Sequence, residues 1–185
     1  MATTKKRTLA EIVAAAKPIR KTVRLCTDGD LLAEHERLEA QLEQAHNAQV
    51  MGGKLNSAGE VRRLAEAVQK CEKAIRAAED EYEFEKLSGT KWSTLKDEHG
   101  PREGKERVER WNPETFPKAA VAASCVSPEG MDDAAVFSAF WDGLNEAQRD
   151  VLFRGAYAAN EDGASVPFSA TASLVLSTSR PSSTT

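Results

Sequence analysis

The sequence predicts a mainly α-helical protein: a small helical domain with a projecting antiparallel helical hairpin and a minor two-stranded β element. Three observations carry that reading. Two long stretches, near 30–49 and 58–80, place apolar residues at alternating spacings of three and four, the rhythm of a helix that turns one stripe to a partner. Short alternating runs, β-branched or aromatic, flank this pair. Beyond residue 90 the chain divides into short segments, several of which open on a helix-start signal.

Taken in order, "MATTKKRTLAEIVAAAKP" places Thr8 and Glu11 at capping-box spacing, where each side chain satisfies an end amide of the backbone. Glu11 also interrupts the apolar stretch, so the segment reads as a short helix and not as a signal peptide. "KTVRLC" alternates as a strand with Val23 and Leu25 on one face. In "TDGD", Asp28 or Asp30 caps the next helix. Its seam runs through Leu31, His35, Leu38, Leu42, Ala45 and Gln49. "VMGGKLNSAG" breaks the pattern, and a second seam follows through Val61, Leu64, Val68, Cys71, Ile75, Ala78 and Tyr82. Two helices of similar length joined by a short Gly-rich break are expected to fold back on each other. "YEFEKL" then alternates again and is expected to pair with "TVRLC". An isolated strand pair is marginal in water, so the C-terminal helices must back it.

"TKWSTLKDEH" reads as a helix and "GPREGKERVER" as a flexible charged loop. In "WNPETFPKAAVAASC", Asn112 is the capping oxygen and Pro113 the first helical residue, where no amide hydrogen is needed. The alanines that follow make a thin helix open to close packing. "MDDAAVFSAFWDGL" carries a stripe of Val136, Phe137, Phe140, Trp141 and Leu144. Asn145 and Gln148 repeat the capping arrangement before a stripe of Val151, Leu152, Gly155, Ala156 and Ala159. Four regions result: a basic arm with a short helix (1–21), a strand-flanked helical hairpin (22–88), a C-terminal helical core (89–163) and a Ser/Thr-rich flexible tail (164–185).

The chain has 185 residues, 41% apolar and 29% charged, as expected for one soluble domain with an appendage. It contains no apolar run of about 18 residues, so no membrane-spanning helix is expected. Cys26, Cys71 and Cys125 are odd in number and far apart, which points to reduced thiols and a cytoplasmic setting. Residues 1–25 hold seven basic residues against Glu11, a net +6, which leaves −10 for the rest of a chain totalling −4. Such an arm suits nucleic acid in principle, but it lacks interleaved aromatics and the acidic body repels phosphates. A solvated or self-docking arm is the plainer expectation.

Chemistry-bearing patterns are sparse. His35 lies on a seam, "HERLE" is not the His-Glu-x-x-His zinc motif, and His99 sits in a turn. "DGD" lacks the alternating donors of a calcium loop, and the glycines at 52–53 follow no strand, as a phosphate loop requires. Ser124 and Cys125 have no recognisable base or orienting group in the sequence around them. A non-catalytic protein with no cofactor or metal is expected.

The order "EYEFEKL…W…L…H", "WNPETFPKAAVAASCV", "FWDGLNEAQRDVLFRGAYAAN", "VPFS", together with "RKTVRLCTDGDLLAEHERLEAQL" near the start, resembles tail assembly chaperones of long-tailed, siphovirus-type phages of actinobacteria. The resemblance spans most of residues 20–170 and rests on structural motifs. It implies a protein that binds the hydrophobic tape measure protein, keeps it soluble and assists the tail tube protein to polymerise around it. It also implies action in the host cytoplasm during assembly and absence from the mature virion. Many such proteins are made in two forms, the longer by translational frameshift, and the resemblance implies that this chain is the shorter one. Trp92, Trp111, Phe116, Phe137, Phe140 and Trp141 are the candidate client anchors. For most of the six, filling the C-terminal core is the better reading, and Ala-rich helix surfaces and exposed seam residues then carry the binding instead. Self-association through the hairpin is a further expectation. The competing readings are a structural virion subunit of the tail or connector and a nucleic-acid-binding regulator using the basic arm.

Overall fold

A computed structural model of the chain describes residues 7–52 and 57–162. Among them the order is α1 (Leu9–Ala15), β1 (Arg20–Cys26), α2 (Gly29–Gly52), α3 (Ser57–Ala77), β2 (Glu79–Glu85), α4 (Gly89–Glu98), α5 (Phe116–Ser124), β3 (Cys125–Ser127), α6 (Ala134–Gly143) and α7 (Glu146–Glu161). The protein is mainly helical with a small antiparallel sheet, the class that the sequence predicts. The sheet has three strands in the order β1-β2-β3, where two were expected. The third, β3, has only three residues, too few for an alternating pattern to be recognised behind an alanine-rich helix.

β1 and β2 pair along their whole length, from Arg20 opposite Glu85 to Cys26 opposite Glu79. Because neighbouring residues alternate between faces, Val23, Leu25, Tyr82 and Phe84 share one face and Arg20, Thr22, Arg24, Glu81, Glu83 and Glu85 the other. The first face is covered: α5 and α7 pack on the sheet, and Phe84 is fully buried among Leu25, Phe116, Val121, Leu152 and Ala156. The second face is polar, with Arg20 bonded to Glu83 and Glu85 and Arg24 to Glu81. β3 adds to β2 through Phe84 opposite Cys125, with a register shift between Glu83 and Phe84.

α2 and α3 pack on one another at the Cys26/Glu79 end of the sheet. The Cys71 thiol lies 3.6 Å from the Leu31 carbonyl, and the His35 ring lies 4.0 Å from Glu72. The seam residues are the more buried ones: Leu64, Val68 and Cys71 are buried, and Leu31, His35, Leu38, Leu42 and Ala45 are half-buried. Asp28 caps α2, accepting from the Asp30 and Leu31 amides at 3.0 and 3.1 Å. α2 runs on through Val50 and Met51, beyond the expected break. Tyr82, placed on the second seam by its spacing, belongs instead to β2, opposite Val23. The helix ends at Ala77 because the strand pairing begins at Glu79.

Capping signals translate directly. Thr8 and Glu11 form a capping box on α1, and Asn145 and Gln148 form one on α7. Gln148 also donates to the Cys26 carbonyl at 3.0 Å, so the cap fastens the start of α7 to the end of β1. Asn112 behaves differently from expectation. It accepts from the Glu114 amide at 2.9 Å, but the residues that follow form a turn, and α5 starts only at Phe116. Pro117 explains this, since a regular helix from Pro113 needs a residue-117 amide to donate to the Pro113 carbonyl. Two stripe residues face outward: Val136 is 57% and Val151 37% exposed. The charged loop expected to be flexible is closed by Arg102, which bonds Glu109 and Glu114. The Ser/Thr-rich tail at 164–185, the "VPFS" segment, Lys5, Lys6 and the centre of the Gly-rich break lie outside the described residues.

Candidate functional site

The six aromatics proposed as anchors fall into two groups. Trp92, Trp111 and Phe116 converge with Phe153 and Tyr157 of α7: Trp111 and Phe116 rings lie 5.0 Å apart, Trp92 and Phe116 5.4 Å, and Phe116 and Phe153 5.8 Å. Phe137, Phe140 and Trp141 form the second group on α6, with Phe140 stacked on Tyr82 at 5.7 Å and Phe137 6.0 Å from Trp141. Trp92, Phe116, Phe137 and Trp141 are buried in the core, while Trp111 and Phe140 are half-buried. Phe153 and Tyr157, which complete the first group, lie roughly forty residues downstream of Trp111 in sequence, so no local pattern connects them to it.

Polar contacts hold the two buried tryptophans. The Trp92 indole N–H donates to Glu161 at 2.7 Å, and Lys96 reaches the same carboxylate at 2.9 Å. That indole bond and Lys96 hold the Glu161 carboxyl below its ordinary value. Arg149 donates to the Trp141 carbonyl at 3.0 Å and lies 5.7 Å from its ring, closing the end of α6. Rings held this way are anchors of the fold.

Apolar surface is available between α5 and α6. Ala119, Ala122 and Ala123 of α5 face Ala134 and Phe137 of α6 across a shallow open groove of about 630 Å³, with Met131 at its base. The alanine run that predicts a thin helix is its sequence signal. The Asp133 carboxylate caps α6 at the groove's edge, accepting from the Ala135 and Val136 amides. Lys118 donates to Ser138 at 3.0 Å and lies 3.7 Å from Asp142, tying the two helices together. His99, Glu114 and Asp132 supply a polar rim, and His99 is fixed by a 2.9 Å bond to Thr115. An apolar floor with a polar rim suits the face of an amphipathic helix.

The nucleophile candidates sit in structural roles. Ser124 is buried and its hydroxyl donates to the Ala120 carbonyl one turn back. The Cys125 thiol donates to the Ser127 carbonyl at 3.1 Å, and burial pushes it up to about 11. Cys26 and Cys71 are buried, free thiols. Among the described residues no three His, Cys, Asp or Glu side chains are grouped to hold a metal ion, and no helix is long and apolar enough to cross a membrane. No protein-family model, curated protein or solved structure matches the chain significantly.

Proposed function

We propose that this chain is a phage tail assembly chaperone that binds and solubilises the tape measure protein and assists tail tube polymerisation, acting in the host cytoplasm and leaving before the virion matures. The groove between α5 and α6 carries the proposal. It offers a client helix contact with Ala119, Ala122, Ala123 and Ala134 on a body whose larger aromatics are mostly packed inward. Holding a client requires apolar contact on a soluble scaffold and needs no nucleophile or metal. Each Å² of client surface covered contributes on the order of 25 cal/mol before ordering costs, so one shallow groove binds weakly and releasably. Repeated contacts along a long client hold it, and the polymerising tube displaces them one at a time.

Co-expression tests this directly. The tape measure protein alone is expected in the insoluble fraction, and with this chain it is expected in a soluble complex. A client that stays insoluble in the presence of this chain and any longer form, or normal tails from phage lacking the gene, overturns the proposal.

A further inference from the structure

Two apolar faces of this chain lie at opposite ends of it. α1 has no buried residue, and its Leu9, Ile12 and Val13 are 77%, 50% and 66% exposed although their spacing puts them on one face. At the end of α2, Val50 and Met51 are 73% and 93% exposed. We propose that α1 of one copy docks along the outer stripe of α2 of a second copy, reciprocally, so that the chain forms a two-fold dimer by exchanging arms.

Reach decides against docking within one chain. α1 precedes the Arg20 end of β1, whereas α2 departs from the Cys26 end, which the seven residues of β1 place about 20 Å away. α2 then extends a further 35 Å or so over its 24 residues. It covers neither sheet face: one lies under α5 and α7 and the other carries the exposed Arg–Glu pairs. The connection from Ala15 to Arg20 spans at most about 18 Å. The arm therefore cannot reach Val50 of its own chain.

Charge order fixes the direction. On the arm, Arg7 precedes Leu9, Ile12 and Val13, with Lys5 and Lys6 just before it in sequence. On α2, Glu36, Glu39 and Glu43 lie close together beside Ala40, Leu42 and His46 and precede Val50 and Met51. Laid parallel, basic meets acidic and apolar meets apolar. Arg7 precedes the extended Thr8 cap, so two extended steps and three helical ones put it up to about 11 Å from Ile12, close to the roughly 10.5 Å from Glu43 to Val50. Reciprocal exchange makes two such contacts in a closed, isologous pair, so each small contact is counted twice.

Sedimentation equilibrium of the full chain is expected to show a monomer–dimer equilibrium at about micromolar concentrations. It weakens when salt shortens the screening length from about 10 Å to about 3 Å. Ile12→Glu and Val50→Glu, both at exposed positions, are each expected to give monomers with unchanged helicity. Arg7→Glu and Glu43→Lys each weaken self-association. An equimolar mixture of those two variants restores it to the wild-type strength. In the mixed pair one contact joins the two substituted side chains, an ion pair of reversed polarity, and the other joins the native Arg7 to the native Glu43. A wild-type chain that stays monomeric, a dimer indifferent to Ile12→Glu, or a mixture that fails to re-associate overturns the proposal. So does an Ile12→Glu variant that loses client solubilisation while self-association is unchanged, which assigns α1 to the client.

Discussion

Gly155 of α7 lies directly against the Phe84 ring of β2: a β-carbon on Gly155 would stand 2.8 Å from Phe84 Cε2, and 2.4 Å from Val23 Cγ2. Glycine in mid-helix costs about 1 kcal/mol relative to alanine, yet here it lets the helix backbone settle onto the sheet. Phe84 is fully buried, so it has no room to retreat.

Gly155→Ala is therefore expected to destabilise the protein by about 2 kcal/mol, the overpacking strain exceeding the gain in helix propensity. Chemical denaturation measures it. Phe84→Leu is expected to cost less in the Gly155→Ala background than alone, since the smaller side chain relieves the Phe84 part of the clash while the contact with Val23 remains. A Gly155→Ala protein more stable than wild type shows that α7 does not approach the sheet this closely.

Glu161 makes stability depend on pH. The Trp92 indole bond, then Lys96, hold its carboxyl below the ordinary 4.5. A carboxyl lowered by folding binds fewer protons in the native than in the unfolded chain. Its stabilisation is thus complete above the ordinary value and is lost as pH falls through the lower native one. Glu161→Gln is expected to reduce stability by roughly 1 kcal/mol at neutral pH and to narrow the stability difference between neutral and acid solution. An unchanged acid limb in urea titrations counts against this pairing.

Local signals were readable from the chain, and long-range ones were not. Thr8 with Glu11, Asn145 with Gln148, and Asp28 ahead of α2 act within four residues, and all form the caps their types suggest. The alternation of "TVRLC" and "YEFEKL" gives the β1–β2 pairing because period two leaves one face to bury. Asn112 shows where such reasoning stops: the cap is present, but Pro117 delays the helix behind it. The Trp92–Glu161 bond joins residues 69 positions apart, and Gly155 reads as one small member of a stripe until the sheet is placed beneath it. The aromatics were legible both as residues and as core fillers, and Trp92, Phe116, Phe137 and Trp141 are buried; what the sequence did not show is that Phe153 and Tyr157 of α7 complete the group around Trp111 and Phe116.

Trp141 and Cys125 are expected to separate fold from chemistry. Truncating a buried tryptophan costs about 3–5 kcal/mol, and Trp141→Ala also removes the ring beside Arg149. Cys125→Ala removes a small, inert side chain whose thiol burial pushes up to about 11. Under the chaperone proposal, complementation of a deletion phage is expected to succeed with Cys125→Ala and fail with Trp141→Ala. Lost tails with a stably folded Cys125→Ala protein point instead to thiol chemistry.

The groove between α5 and α6 yields the sharpest functional prediction. Ala123 is exposed on α5 and lines the groove, so Ala123→Glu alters the docking surface without entering the core. Glutamate is a good helix former, and the fold is expected to keep its stability within about 0.5 kcal/mol. A client helix seated there would have to bury an unpaired carboxylate or forgo contact with α5, which predicts a loss of affinity of about tenfold to a hundredfold. Val136→Glu is the matched control, because Val136 is 57% exposed on α6 and is not part of the groove lining. Pull-down of the tape measure protein from co-expressing cells is expected to fail with Ala123→Glu and to succeed with Val136→Glu. Equal recovery with both variants moves the client off this groove, leaving the chaperone proposal to stand or fall on the co-expression result. Loss with both variants, despite native helicity, makes the whole outer surface of the two helices the contact and the groove only part of it.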